Sequence, residues 1–272
     1  MRKFNGLSVD TFAWTDMHTG GRTDMKKMFF KSISIPLIAG TVLLAGCTQT
    51  DVPADAKNIE PKQEKVTQEK PKPVPPQEKW DIDTPDSITV VVNKKREIPA
   101  DYVPPDLVEP DVTFSFAGTA EKKLMRKEAA EALAELFKAA EKDGVDLVAV
   151  SGYRSYKRQQ ATYQSALQRK GMADTSKYNA RPGHSEHQTG LAMDVSSSIV
   201  NYQLIESFGE TKAGRWLADH AAEHGFIIRY PKGKEDVTGY AYEPWHIRYV
   251  GKELAKELNE KGLVMEEYFS LK

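Results

Sequence analysis

The spacing of apolar residues along the second half of the chain predicts a mixture of helices and strands. From Met125 to Ala140, apolar residues recur three or four positions apart with charged residues between them. This spacing predicts an amphipathic helix that ends near Gly144. Further helices are predicted at 157–170, 211–224 and 252–261. Short apolar runs predict strands at 88–93, 146–150, 191–195, 226–230 and 245–250.

These elements follow one another without a regular strand–helix–strand repeat. The pattern therefore predicts an α+β fold over residues 86–272, a single domain in which helices flank a central antiparallel sheet. Proline residues between positions 99 and 110 predict an extended arm before the first long helix. A stretch rich in Gly, Ser, Asn and Pro predicts a long loop over 171–190.

The N-terminal part of the chain has a different pattern. Met25 is followed by two lysines and an apolar stretch that ends in Leu44-Ala45-Gly46-Cys47. This order is typical of a bacterial signal peptide that ends in the lipobox of a lipoprotein. We therefore expect residues 25–46 to be removed and Cys47 to carry a lipid that anchors the protein to the outer face of the cell membrane. A short transmembrane anchor is the alternative, although the apolar run is short for one.

Two further segments complete the N-terminal part. Residues 1–24 have no signal-peptide character, so we expect translation to begin at Met25. Residues 47–85 follow the signal, and most of them are Lys, Glu, Gln or Pro, with too little apolar mass to favour a folded state. We expect this segment to be a disordered tether with a reach on the order of 100 Å.

Composition narrows the possible functions. The chain has 38 Lys and Arg against 39 Asp and Glu, so it lacks the basic excess of a nucleic-acid-binding domain. Its only cysteine is Cys47, so no intrachain disulfide can form and the domain depends on its apolar core. We expect no nucleic-acid partner, and we expect the protein to be a monomer.

Two histidines and an aspartate have the chemistry of a zinc site. His187, Asp194 and His246 would supply two imidazoles and a carboxylate, which are common ligands of catalytic zinc. The first two are seven residues apart, a spacing that suits neither one helix face nor one side of a continuous strand. They can meet if His187 ends a loop and Gly190 lets the chain turn into the strand that carries Asp194. By spacing alone, either histidine could be an ordinary hydrogen-bonded residue.

A carboxylate lies three residues before the last of these histidines. Pro244 excludes a helix interior at this position, so we expect Glu243 to project from a turn. From there it could accept a proton from an attacking water.

A second motif offers an alternative metal site. His220-Ala221-Ala222-Glu223-His224 matches the H-x-x-E-H signature, and on a helix its two histidines would share a face. However, His220 lies on an apolar stripe. His224 lies in the last turn before Gly225, where a cation suits the helix dipole.

The polar segments together resemble a known family. Ser-x-His-x-x-Gly-x-Ala-x-Asp at 185–194, with Glu-x-x-His at 243–246, resembles the metallocarboxypeptidases of the VanY type, in the D-Ala-D-Ala dipeptidase and carboxypeptidase superfamily. The resemblance extends over 90–107, 151–160, 181–194 and 225–251. It implies a zinc-dependent carboxypeptidase that removes the C-terminal D-alanine from peptidoglycan stem peptides, with either D,D or L,D specificity.

The resemblance also implies a role for individual residues. The implied zinc ligands are His187, Asp194 and His246. Glu243 would be the general base and then the proton donor to the leaving amine, and Arg154 would stabilise the oxyanion. Weaker candidates for holding the substrate backbone or its C-terminal carboxylate are Ser155, Gln160 and Ser185. Two other functions stay open: an endopeptidase that cuts cross-links, and a non-catalytic lipoprotein that binds the cell wall.

Overall fold

A four-stranded antiparallel sheet is the frame of the described part of the chain. The computed structural model describes residues 80–271, so the predicted lipoprotein signal, Cys47 and most of the predicted tether lie outside it. The strands are β1 (Leu107–Val108), β2 (Met125–Arg126), β3 (Val148–Ser151), β4 (Ala192–Ser196), β5 (Phe226–Tyr230) and β6 (Glu243–Tyr249). The helices are α1 (Lys127–Lys142), α2 (Tyr156–Tyr178), α3 (Lys212–His220), α4 (Glu235–Thr238), α5 (Lys252–Lys261) and α6 (Met265–Tyr268).

The main sheet has the strand order β3-β4-β6-β5, and every neighbouring pair is antiparallel. In the central pair, Asp194 on β4 lies directly opposite His246 on β6. Side chains alternate between the two faces of a strand. This alternation places Met193 and Ile247 in the apolar core, while Asp194 and His246 project to the opposite, polar face. The register of the central strands therefore places apolar residues on one face of the sheet and this polar pair on the other.

Two apolar clusters support this sheet. The larger one includes Leu133 and Leu136 of α1, Leu217 of α3 and the core-facing residues of the central strands. The smaller one includes Leu254 and Leu258 of α5 together with residues of α6. Fully burying a side chain of this size contributes roughly 1.5–3 kcal/mol. The helices α1, α3 and α5 are thus fixed to the rest of the domain by their apolar faces.

The fold confirms the predicted α+β class and several elements, including β5 and α5 at their predicted bounds. The predicted strand at 88–93 is wrong. Val90, Val91 and Val92 are buried, but this segment forms turns and irregular backbone. The carbonyls of Ile88 and Val90 accept hydrogen bonds from the Arg248 guanidinium rather than from a neighbouring strand.

Three boundaries also differ from the predictions. The predicted loop at 171–190 is shorter, because α2 resumes after a break at Gly171 and continues to Tyr178. The helix predicted to reach residue 224 ends at His220 and is followed by a 3-10 turn over 221–224. The packed domain also begins before residue 86, since Trp80 and Ile82 pack against the smaller apolar cluster.

Within residues 80–271, no helix combines the length and the apolar character needed to cross a membrane.

A glycine at the start of β4 offers a test of the fold. Gly190 has a φ of 68°, and an added Cβ would lie 2.9 Å from Leu107 Cδ2. We expect Gly190→Ala to lower the free energy of unfolding by roughly 2 kcal/mol or more, from left-handed strain together with the clash. Gly262→Ala is the control, because Gly262 has the same left-handed conformation, with a φ of 61°, but nothing lies within 4 Å of an added Cβ. Chemical denaturation that gives equal losses for the two variants would contradict this account.

Candidate metal centre

His187, Asp194 and His246 meet on the polar face of the sheet. One candidate ligand atom from each lies within 4.8 Å of the other two, and all three side chains are buried. His187 Nε2 is 3.4 Å from Asp194 Oδ2, and His246 Nδ1 is 2.9 Å from Asp194 Oδ1. In the part of the chain that the structure describes, no other group of three or more His, Cys, Asp or Glu residues brings its donor atoms together in this way.

The local structure explains how distant positions converge. His187 lies in a 3-10 turn over Glu186–Thr189, and Gly190 follows it in the left-handed conformation. The predicted turn into the strand that carries Asp194 is therefore confirmed. His187 Nδ1 is 2.8 Å from the carbonyl oxygen of Gly152, so its Nε2 points at Asp194. A hydrogen bond of this kind fixes the tautomer and the orientation of an imidazole ligand.

The donor set fits a zinc ion. Two imidazoles and one carboxylate are typical of catalytic zinc sites, which keep a further position open for water or substrate. These three residues line a cavity of about 590 Å³, which leaves room for a water or a substrate beside them. The charges also fit, because a divalent cation would balance the buried carboxylate of Asp194.

The ligand residues strongly influence one another's protonation in the metal-free chain. Burial alone would raise the pKa of Asp194, but His187 and His246 hold it well below its ordinary value. Burial alone would lower the pKa of His246, but hydrogen bonds to Asp194 and Glu186 raise it to about 9. Burial, together with the charge of Arg154, lowers the pKa of His187. The site thus carries an ionised Asp194 at neutral pH.

Glu243 lines the same cavity and is buried. The expectation that it projects from a turn is wrong, because Glu243 is the first residue of β6, opposite Tyr230 on β5. Pro244 is tolerated there because proline is compatible with the start of a strand. Burial raises the pKa of Glu243 to about 8, against the opposing effect of His246. A carboxylate in this environment holds a proton readily.

Arg154 also lines the cavity, and it lies three residues after the end of β3. Its Nη1 donates to Gln159 Oε1 at 2.8 Å and its Nη2 donates to Ser151 Oγ at 3.2 Å. Its backbone N–H donates to the carbonyl oxygen of His187 at 3.1 Å. The guanidinium is therefore held in a fixed position beside the three candidate metal ligands.

The three weaker candidates have different positions. Ser185 is buried and lines the cavity. Ser155 does not line it; its hydroxyl oxygen accepts from the backbone N–H of Arg158 and caps α2. Gln160 is exposed, whereas the preceding Gln159 is buried and contacts Arg154. Successive helix residues point about 100° apart. The structure therefore does not bring Ser155 or Gln160 to the cavity.

Sequence reasoning missed several residues of the site. Tyr230 and Tyr240 line the cavity, and the buried hydroxyl of Tyr240 has no hydrogen-bond partner within residues 80–271. Glu186 lies directly behind His246 and is fully buried. Tyr240 could have been noticed from its position near Glu243. The acidic residue between Ser185 and His187 gave no comparable signal.

The alternative metal site at 220–224 is not formed. The α-helix ends at His220, so the two histidines do not share one helix face. The His220 ring stacks on Trp216 with 4.5 Å between centroids, and its Nδ1 is 2.8 Å from the Trp216 carbonyl oxygen. This histidine has a structural role.

The pKa of Glu243 leads to a stability prediction for the metal-free chain. The folded state holds the proton up to about pH 8, while the unfolded state releases it near 4.5. The free energy of unfolding should therefore fall as the pH rises through this window. Glu243→Gln removes that loss, so the variant should melt roughly 2–8 °C above the wild type at pH 9 and at the same temperature at pH 4.

The measurement is thermal unfolding followed by circular dichroism in the presence of a chelator. Glu260→Gln is the control, because Glu260 is exposed on α5. It should leave the melting temperature unchanged at both pH values. If Glu243→Gln and the wild type have the same melting temperature at pH 9, burial of the ionised Glu243 does not lower the free energy of unfolding.

Comparisons with known proteins agree with this geometry. A family model described as "VanY: D-alanyl-D-alanine carboxypeptidase" matches residues 122–252. Over 188 residues the chain is 52% identical to the "Putative carboxypeptidase YodJ" of Bacillus subtilis (strain 168), covering 69% of each protein.

Two solved structures are also similar. The structure of the LdcB LD-carboxypeptidase matches with a TM-score of 0.66 and 52% identity, over 68% of this chain and 87% of that one. A vancomycin-resistance D,D-pentapeptidase VanY in complex with Zn(II) matches with a TM-score of 0.55 and 34% identity, over 67% of this chain and 98% of that one. This chain therefore belongs to the VanY family of carboxypeptidases and is a metallocarboxypeptidase.

Proposed function

We propose that this protein is a zinc-dependent carboxypeptidase that removes the C-terminal D-alanine from peptidoglycan stem peptides. The observation that carries the proposal is the convergence of Glu243 with His187, Asp194 and His246 on one cavity. Relatives with this family's description act on D-Ala-D-Ala, and the similar LdcB structure is described in terms of peptidoglycan recognition. A pure binding protein would have no need of a buried base beside a metal site.

His187, Asp194 and His246 would hold the zinc. Bound there, zinc supplies Lewis-acid chemistry, polarising the scissile carbonyl and making water easier to deprotonate. The protein's contribution is to fix the ligands on two paired strands and one turn, so that little rearrangement is needed. The surrounding burial limits access of bulk water to the reacting groups.

Glu243 performs the proton transfers. Its carboxylate accepts a proton from the attacking water and then returns that proton to the amine of the leaving D-alanine. A pKa of about 8 in the metal-free chain makes Glu243 a stronger base than an exposed glutamate. The positive charge of a bound metal would favour the ionised form that must accept the proton.

Arg154 stabilises the negative charge that develops on the scissile oxygen. Its guanidinium is suited to this role because Gln159 and Ser151 hold it in place before substrate arrives. The Tyr240 hydroxyl, which has no hydrogen-bond partner in the described residues, and the buried Ser185 are available on the same cavity for polar groups of the substrate.

We propose L,D rather than D,D specificity. Two neighbours described as L,D-carboxypeptidases are 52% and 41% identical to this chain. Neighbours described as D,D-enzymes are 36% and 34% identical. The preferred substrate would then be a tetrapeptide stem, which becomes a tripeptide.

We also propose that the enzyme acts outside the cell, anchored through Cys47. The order of lysines, apolar run and lipobox before this cysteine supports an exported lipoprotein. Labelling with a fatty acid in a bacterial host would test it. Cys47→Ala should lose the label and leave the membrane fraction, whereas unchanged fractionation would contradict the anchor.

Mass spectrometry of defined muropeptides tests the reaction. The zinc-loaded chain should shorten four-residue stems by one alanine, and a chelator should abolish the activity. Glu243→Gln should lower kcat by about 10²–10⁴-fold with zinc still bound, and Glu260→Gln should leave kcat unchanged. Loss of alanine only from five-residue stems would indicate D,D specificity. Cleavage only of cross-linked dimers would indicate an endopeptidase.

A matched pair of arginines tests the oxyanion role. Arg154→Lys keeps the positive charge but loses the planar fork that Gln159 and Ser151 hold. We expect kcat to fall by about 10²–10³-fold with a smaller change in KM. Arg158→Lys is the control, because Arg158 is exposed and pairs with Glu121. Similar kinetics for the two variants would remove Arg154 from the mechanism.

A further inference from the structure

A buried network of ionic groups lies behind the metal ligands. Glu186 is fully buried, and its Oε1 accepts from Arg229 Nε at 2.7 Å and from Arg248 Nη1 at 2.8 Å. Its second oxygen, Oε2, lies 3.3 Å from His246 Nε2. The two oxygens of one carboxylate thus serve different partners: one binds two guanidiniums and the other faces a ligand imidazole.

The network continues away from the site. Arg229 uses its remaining nitrogens to bind Glu266, with Nη1 to Oε2 at 2.9 Å and Nη2 to Oε1 at 2.6 Å. Asn93 Nδ2 also donates to Glu266 at 3.0 Å. Two carboxylates therefore balance two guanidiniums, and the chain of contacts joins β5 and β6 to α6. Glu186 has no freedom to rotate away from His246.

The network determines which ring nitrogen of His246 would face a metal. Its Nδ1 faces Asp194, and its Nε2 faces Glu186. Both carboxylates can only accept a hydrogen bond, so both nitrogens donate in the metal-free chain. A metal bound beside Asp194 would replace the Nδ1 proton, while Glu186 keeps the proton on Nε2. The His187 ring is oriented by a backbone carbonyl instead, which binds its Nδ1 and leaves its Nε2 facing Asp194. Only His246 depends on a side chain for its orientation.

Fold stability alone does not account for this arrangement. Burying four charged side chains is expensive, and well-packed apolar residues often stabilise a core as well or better. The Arg229 and Arg248 side chains are fully buried, and so is Glu186. The free-energy cost of burying these charges is understandable if the network holds the Glu186 carboxylate in one position against the His246 imidazole.

We propose that Glu186 is a positioning residue that fixes the tautomer and orientation of His246 for metal binding, with Arg229 and Arg248 holding Glu186 in place. The inference rests on the proposed metal ligands. It assigns the acidic residue between Ser185 and His187 a function in metal affinity rather than in substrate binding.

The variant Glu186→Gln tests the positioning role of this carboxylate. The two guanidiniums require an acceptor, so the amide oxygen of Glu186→Gln would face them and its NH₂ group would face His246. A donor opposite Nε2 favours the tautomer with the proton on Nδ1, the nitrogen needed by the metal. We expect zinc affinity to fall about 10–100-fold. Glu266→Gln, which breaks the same network but touches no ligand, should bind zinc as the wild type does.

The measurement is competition for zinc with a colorimetric chelator, using the purified full chain. The visible spectrum of the cobalt(II)-loaded chain provides a second readout, which should change in Glu186→Gln and not in Glu266→Gln. If the wild type and Glu186→Gln bind zinc equally, the inference is wrong and the proposed function stands. If the wild type binds no zinc, the proposed metal site and this inference both fail.

Glu186→Gln leaves two buried guanidiniums with one carboxylate, so this variant could fail to fold. A second variant therefore controls for folding. The double variant Glu186→Gln/Arg248→Gln restores the charge balance of the network. It should still bind zinc about 10–100-fold more weakly than Arg248→Gln alone. Equal zinc affinity of these two variants would overturn the positioning role even if the single variant does not fold.

Discussion

The antiparallel pairing of β4 with β6 is the interaction on which the rest of the site depends. It places Asp194 directly opposite His246, within hydrogen-bond distance, although the two are far apart in sequence. A shift of one residue would turn one of them toward the apolar core, because strand side chains alternate between faces. The apolar residues Met193 and Ile247, which are fully buried on the other face, therefore also fix the register of the metal centre.

Around this pair, each charged group has a specific partner. Asp194 faces two imidazoles, Glu186 faces two guanidiniums, and Arg154 is held by neutral polar groups. Glu243 is the exception, since burial raises its pKa by more than the charges of His246, Arg154 and Lys94 lower it. The residue proposed to move protons is thus the one whose charge the protein stabilises least. Sites that trade stability for activity in this way are common in enzymes.

The sequence predicted the parts of the fold that have strong local patterns. The periodicity around Leu133 identified α1, and Gly190 indicated the turn that brings His187 to Asp194. The prediction of a strand at 88–93 was wrong because a run of buried valines is typical of a strand, whereas the carbonyls of Ile88 and Val90 bind the distant Arg248. No local pattern reports such a contact.

The candidate site was predictable to the extent that its chemistry lies in short motifs. The buried network was not, because Arg229 and Arg248 lie in strands that read as mostly apolar. Their partners, Glu186 and Glu266, are 80 positions apart and approach only through the packing of α6 against the sheet. Gln160 was chosen instead of Gln159 because a motif gives residue types but not the side of the helix on which each lies.

The most direct test of the central claim is a crystal structure of the zinc-loaded chain with anomalous diffraction recorded on both sides of the zinc edge. We expect one strong peak within coordination distance of His187 Nε2, an Asp194 carboxylate oxygen and His246 Nδ1. A peak beside His220 or His224, or coordination through His246 Nε2, would contradict it.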